Sequence, residues 1–179
     1  MDLTSKLSNL KNQLLDLAIR GKLVEQRPEE GSAEELYTQI QEEKQKLIAE
    51  GKIKKEKPLP EIKNEEIPFD IPQSWKCVNL GTVIQLISGR DLTLNEISSV
   101  PQEVPYLTGA SQIASNEIIV NRWTSQPSVI SELNDVLISC KGTVGKIITN
   151  NVGKMHLARQ IMALRSYSGA PFNSYSSFQ

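Results

Sequence analysis

The sequence predicts an α+β chain: a helical, coiled-coil-like amino-terminal region followed by a β-rich domain. Three observations carry that expectation. Leucines recur at heptad spacing near the start, prolines cluster in the middle, and Val- and Ile-rich runs bounded by Gly, Asn and Ser fill the second half.

Leu3, Leu7, Leu10, Leu14 and Leu17 follow one another at intervals of four, three, four and three residues, so a helix places them on one stripe. Leu36, Ile40, Glu43 and Leu47 repeat that spacing, with Glu43 as a polar interruption. Ser32 and Glu35 stand at capping-box spacing ahead of the second run, and Gly21 and Gly51 lie where helix-ending glycines occur. Helices are therefore expected over about 3 to 20 and 33 to 55. Between them Pro28 forbids a continuous helix and marks a polar reversal. A buried leucine contributes about 1.5–3 kcal/mol, while ordering a helical residue costs at least ~1 kcal/mol, so a two-helix hairpin alone is marginal. Leu3, Leu7, Leu10, Leu14, Leu17, Leu36, Ile40 and Leu47 are thus expected to pack on something further: the globular domain, a second copy of the chain, or another protein. The competing reading is of ordinary helices lying on the chain's own core.

From Lys52 to Pro72 the chain is charged and punctuated by Pro58, Pro60, Pro68 and Pro72, which favours extended backbone. The expected organisation is a helical spacer over 1–57, a linker over 58–72 and a β-rich domain over 73–179. Strands are expected at Trp75 to Leu80, Val104 to Thr108, Glu117 to Trp123, Asp135 to Cys140, Lys146 to Thr149 and Gln160 to Leu164, with helix or strand over Gly81 to Ile87.

With 179 residues, 39% of them hydrophobic, the chain can build one substantial core. The formal net charge of −1 argues against wholesale coating of nucleic acid. It conceals an asymmetry: residues 1–70 carry 12 Lys/Arg against 15 Asp/Glu, and residues 71–179 carry 8 against 6. That small excess suits phosphate contacts on one face of the β-rich half. Cys77 and Cys140 stand alone, with no metal-ligand spacing, and are expected as small core residues without metal or cofactor. No apolar run reaches the length of a signal peptide core or a membrane span, so a cytoplasmic protein with no membrane partner is expected.

Catalytic motifs fail on inspection. Gly142-Thr143-Val144-Gly145-Lys146 has its glycines too close for a phosphate loop, and Ile147 occupies the Ser/Thr position. Glu42-Glu43-Lys44 lies on a helical run with no strand-borne Asp before it, and His156, the sole histidine, has no nucleophile turn to serve. The turns between strands are richer. Arg and Lys can hold phosphates or fork onto guanine, Asn and Gln can pair with adenine, and small hydroxyls fix register. Ser88, Arg90, Ser111, Gln112, Arg122, Lys141, Thr143, Lys146, Arg159 and Gln160 are the candidate DNA-binding residues. The same residue types also make ordinary soluble turns, and composition does not choose between the two. The DNA reading requires Arg90, Lys141 and Arg159 to share a face and to stay out of interior ion pairs.

Several segments, in order, resemble a known family. They are the helix end Leu14 to Val24, the stretches Ser32 to Leu36 and Glu43 to Lys55, and Ile71-Pro72-Gln73-Ser74-Trp75 with Leu80-Gly81. Pro105 to Ser111, Cys140 to Lys146 and His156 to Ile161 complete the set. Together, over about residues 7 to 165, they resemble the DNA-specificity subunits of type I restriction-modification enzymes. The resemblance implies a non-catalytic subunit in which a target recognition domain reads duplex DNA for methyltransferase (M) and restriction (R) subunits. Such subunits carry two recognition domains separated by helices, each reading half of a bipartite target. This sequence departs from the pattern, with one such domain, expected to stop short of its usual carboxy-terminal helices. A half-subunit that forms a homodimer through its helices is one expected arrangement. A helix of about twenty residues spans ~30 Å, near the ~34 Å of one duplex turn, so the helices could set the separation of two readers. A coiled-coil adaptor whose β-rich domain binds protein is the alternative.

Overall fold

The computed structural model describes residues 2–25, 31–115 and 117–169. The reversal expected around Pro28 and most of the Ser-rich end lie outside them. Helix α1 spans Leu3–Ile19 and α2 spans Ala33–Ala49. Both close in the same way. Gly21 and Gly51 turn left-handed at φ 62° and 71°, and the following amides, Lys22 N and Lys52 N, donate to the carbonyls of Leu17 and Leu47. That closure ends α2 at Ala49 instead of at 55, because a left-handed residue cannot continue a right-handed helix. At the other end of α2, Ser32 and Glu35 form the reciprocal capping box.

None of the heptad leucines of α1 is buried among the described residues: they stand between 40% and 70% exposed, from Leu17 to Leu3. In α2, Ile40 is buried, Leu47 is half-buried and Leu36 is exposed.

The chain divides into two units, Met1–Val83 and Ile84–Gln179. In the first, the proline-rich stretch is tied down along its length. Pro72 and Trp75 crowd Gly21 so closely that a Cβ there would meet the proline ring, with Trp75 Cζ2 3.2 Å away. Ala33 N donates to Ser74 O, Lys76 Nζ pairs with Glu34 at 2.6 Å over the Tyr37 ring, and Asn79 Nδ2 donates to Pro60 O. Residues 75–79 therefore form no strand, and Leu80 already belongs to a helical turn. Their polar groups go to α2 and to the 60s segment, and Thr82 folds back on Asn79 O to start the single turn α3, Leu80–Val83. Gln41 and Lys44 of α2 donate to Thr82 O and Gly81 O. Cys77 is exposed, contrary to expectation, because the segment carrying it is not a strand facing a core.

Among its described residues the second unit holds two four-stranded sheets and a small hairpin. In the first sheet β1 (Ile84–Ser88), β10 (Ile161–Ser166), β7 (Val136–Ser139) and β8 (Ile147–Thr149) lie side by side, all antiparallel. The second orders β5 (Trp123–Thr124), β2 (Val104–Leu107), β9 (Met155–Leu157) and β6 (Ile130–Ser131), with β2 and β9 parallel. Strands β3 (Ile113–Ala114) and β4 (Glu117–Ile118) form the hairpin. Leu107, Ile113, Leu137, Ile148, Met155, Leu157, Ile161 and Ala163 form the core. Period-two alternation aims Leu137, Ile161 and Ala163 inward. Strand β9 has no alternation, since all three of its residues are buried between β2 and β6. The strand expected over Glu117 to Trp123 is broken into β4 and β5 because the main chain of Ile119 pairs with Gln112 instead. Arg165 and the buried Asp135 pair at 2.8 and 2.9 Å beside the β10–β7 end remote from Ile161.

Candidate nucleic-acid interface

Strand direction gathers the candidate loops. In the first sheet Ser88 faces Met162, Ile161 faces Ser139 and Ile138 faces Ile147. The end of β1, the start of β10, the end of β7 and the start of β8 therefore share one edge. In the second sheet Leu107 faces Leu157 in parallel, so the loops after β2 and β9 leave on the same side, and Ala158 N donates to Leu107 O. The loop 158–160 belongs to both sheets and draws four loops together: 88–93, 108–112, 140–146 and 158–160.

These loops approach one another closely. Gly89 lies flat on the main chain of Ala158, where a Cβ would collide with that carbonyl and stand 2.7 Å from Ile161 O. Arg90 N donates to Leu157 O, and Cys140 N donates to Gln160 O, both at 2.8 Å. Gly109 is overlain by the Gln160 side chain, whose Oε1 would stand 2.6 Å from a Cβ there.

Ser88, Arg90, Ser111, Lys141, Thr143, Arg159 and Gln160 are exposed on this rim. Arg122 is exposed next to it, with its carbonyl accepting from Tyr106 N. Two candidates have other work. Gln112 is 3% exposed. Its Oε1 accepts from Thr108 N and Oγ1, and its Nε2 donates to Asn121 Oδ1, Ile119 O and, at 3.4 Å, Tyr106 O. With every polar atom bonded inside, it braces two loops and has no group left for a base edge. Lys146 sends its ammonium to Ala110 O and Ile113 O, at 3.1 and 2.7 Å. Exposed itself, it ties the 110–113 turn to the β7–β8 hairpin through that ammonium. Sequence reasoning reads both as surface turn residues, because nothing local signals that their side chains are spent on other loops.

Sequence reasoning also passes over Asp91. Its Oδ2 lies 2.7 Å from Arg159 Nε and its Oδ1 accepts from Arg159 N at 3.1 Å. The pair is solvent-exposed, with side chains 64% and 44% accessible for Arg159 and Asp91, so Arg159 is not locked in the interior. Beneath it lies His156, fully buried, with Nε2 2.8 Å from Arg90 O and Nδ1 accepting from Ser128 N and Val129 N. Burial pushes its pKa below the ordinary value. A ring with both nitrogens used and no exposure is a strut, not a general base. Gly142 to Lys146 joins two antiparallel strands instead of opening a helix, which is the wrong context for a phosphate loop. Among the described residues no cluster of three His, Cys, Asp or Glu could hold a metal.

No protein-family model matches the sequence. Over 80 residues, 45% of this chain, it is 48% identical to the specificity subunit of the type I restriction enzyme EcoAI of Escherichia coli. This chain resembles type I restriction specificity subunits. A second relative, the EcoEI specificity subunit of Escherichia coli, is 42% identical over 80 residues, and the matched stretch is 14% of either relative's length. Among solved structures, the HsdS subunit from Thermoanaerobacter tengcongensis matches with a TM-score of 0.52 at 21% identity, over 90% of this chain and 35% of that one. A chain from a structure of the complex assembly and conformational transition of the type I R-M system matches at 0.54 and 20% identity, over 94% and 37%. At that identity the likeness is one of fold. It agrees with the α+β expectation, helices first and β-rich unit after. The chain spans little more than a third of these solved chains.

Proposed function

We propose that this chain supplies sequence-specific recognition of duplex DNA to a type I restriction-modification assembly, without catalysis of its own. In this reading residues 73–179 are the target recognition domain, 1–57 the helical spacer and 58–72 the connection between them. One observation supports it above the rest: loops far apart in sequence meet on a single edge of the β-rich unit. There they present Arg90, Lys141, Arg159, Gln160 and three small hydroxyls, Ser88, Ser111 and Thr143, together. This is the mixture that duplex recognition needs, cations for phosphate and forked or amide groups for base edges.

A few base contacts, each discriminating by about 1–3 kcal/mol, are too few to select one site among roughly a million or more genomic competitors. A second reader is required for a bipartite target. The exposed leucine stripe of α1 supports a helical contact with a further chain, either a second copy or an M subunit.

Selection of bound sequences from a random duplex pool, with and without a type I M subunit, tests the proposal. A short asymmetric motif is expected, bipartite where two readers assemble, with affinity falling steeply as salt rises. Enrichment of nothing, or complexes indifferent to salt and DNA, would overturn it in favour of a protein-binding adaptor.

A further inference from the structure

We propose that Asp91 is a positioning residue that restrains the Arg159 guanidinium for contact with a guanine. The inference rests on the DNA-reading proposal above. A guanidinium offers five N–H groups in a planar fork. Asp91 stands against Nε as an exposed ion pair, with Oδ2 at 2.7 Å, and accepts from the main-chain amide of the same arginine at 3.1 Å. Backbone and side chain of Arg159 are thereby anchored to one carboxylate. Among the described residues neither Nη1 nor Nη2 donates a hydrogen bond, which leaves both to a ligand.

The carboxylate decides what those two groups are for. A phosphate held by Arg159 would stand beside the negative charge of Asp91 and be repelled. A guanine edge is neutral and presents O6 and N7 as a matched acceptor pair for a forked donor. Stability does not account for the pair either, since an ion pair this exposed contributes little.

Asp91 is itself held rigidly. The residue before it donates through its amide to Leu157 O and accepts through its carbonyl from His156, and the residue after it, Leu92, donates to the Tyr106 hydroxyl at 3.4 Å. Buried His156 and Tyr106 lie with ring centroids 5.0 Å apart and hold the strand exit from below. Bidentate recognition depends on such fixation, because a swinging arginine meets any acceptor and discriminates among none.

The full chain, as wild type and as Asp91→Ala, Asp91→Asn and Arg159→Lys, is put through selection from a random duplex pool. Each is then titrated with one fixed-sequence duplex lacking the enriched motif. The wild type is expected to require guanine at one position. Asp91→Ala and Arg159→Lys weaken that requirement by about tenfold or more, the range that a bidentate arginine–guanine pair supplies. Asp91→Asn, which keeps an acceptor for the Arg159 main-chain amide, retains more of it than Ala. Asp91→Ala binds the motif-free duplex more tightly than wild type, since a negative charge is gone. All four should melt at the same temperature. A motif unchanged by Asp91→Ala, or affinity raised equally for all sequences, overturns the positioning role and leaves Asp91 a simple repulsive charge. If the wild type enriches no motif, the DNA-reading proposal falls and this one falls with it.

Discussion

His156 Nε2 bonds the carbonyl oxygen of Arg90 at 2.8 Å, so a fully buried ring fixes the main chain of an exposed arginine. Nδ1 accepts from Ser128 N and Val129 N, which places the proton on Nε2 and requires the neutral ring. A second proton would set an N–H against two amide N–H groups.

Stability should therefore depend on pH in a particular direction. Desolvation holds the folded pKa below the ordinary 6.5, while the unfolded ring protonates near that value. Above pH 6.5 neither state takes up the proton and this contribution is level. Below it the unfolded state binds a proton that the folded state refuses, so stability falls as pH falls, by at most about 1.4 kcal/mol per pH unit. Urea denaturation at pH 7.5 and 5.5 reads this. Because the chain has a single histidine, His156→Gln should flatten that part of the slope.

The ion pair of Asp135 and Arg165 lies away from the rim and should matter for folding alone. Asp135→Ala leaves a half-buried guanidinium with only Glu132 at 3.3 Å and Ile130 O for company, and should destabilise by about 3–5 kcal/mol. Thermal denaturation that matches wild type would show the pair to be screened by solvent.

Among the rim residues, exposed cations and buried struts should separate. Arg90→Ala and Lys141→Ala should leave stability within about 0.5 kcal/mol while lowering DNA affinity and reducing the salt slope by about 0.9 for each phosphate no longer neutralised. Gln112→Ala should instead cost about 1–3 kcal/mol, because Thr108 N, Ile119 O and Asn121 are left without their partner inside. Parallel salt titrations and melting curves distinguish the two groups.

Leu10 and Leu14 are about half exposed, so Leu10→Ala with Leu14→Ala should cost the chain itself under about 1 kcal/mol, well short of the ~2–5 kcal/mol of a buried leucine. Their effect is expected in association, read by sedimentation of the chain alone and with an M subunit. Unchanged association would remove the stripe from any assembly role.

Much of the fold is legible locally. The leucine spacing, the capping box of Ser32 and Glu35, and the two helix-ending glycines act within a turn or two of the chain, and α1 and α2 begin where those signals lie. Strands β2, β7, β8 and β10 are visible as Val- and Ile-rich runs. Strands β6 and β9 are not, because a buried Met155-His156-Leu157 has no alternation to show and a two-residue strand carries no pattern.

The sequence by itself determined the order of helices and β-rich unit, the helix caps and the residue chemistry of the loops, all of which depend on neighbours a few positions apart. Only the tertiary structure decided that Gln112 and Lys146 turn their polar groups to other loops, that Asp91 holds Arg159, and that the α1 leucines stay 40% to 70% exposed. The reason is range. A side chain's bonding partner is chosen by strand register, and register brings together residues tens of positions apart whose local sequences carry no record of each other.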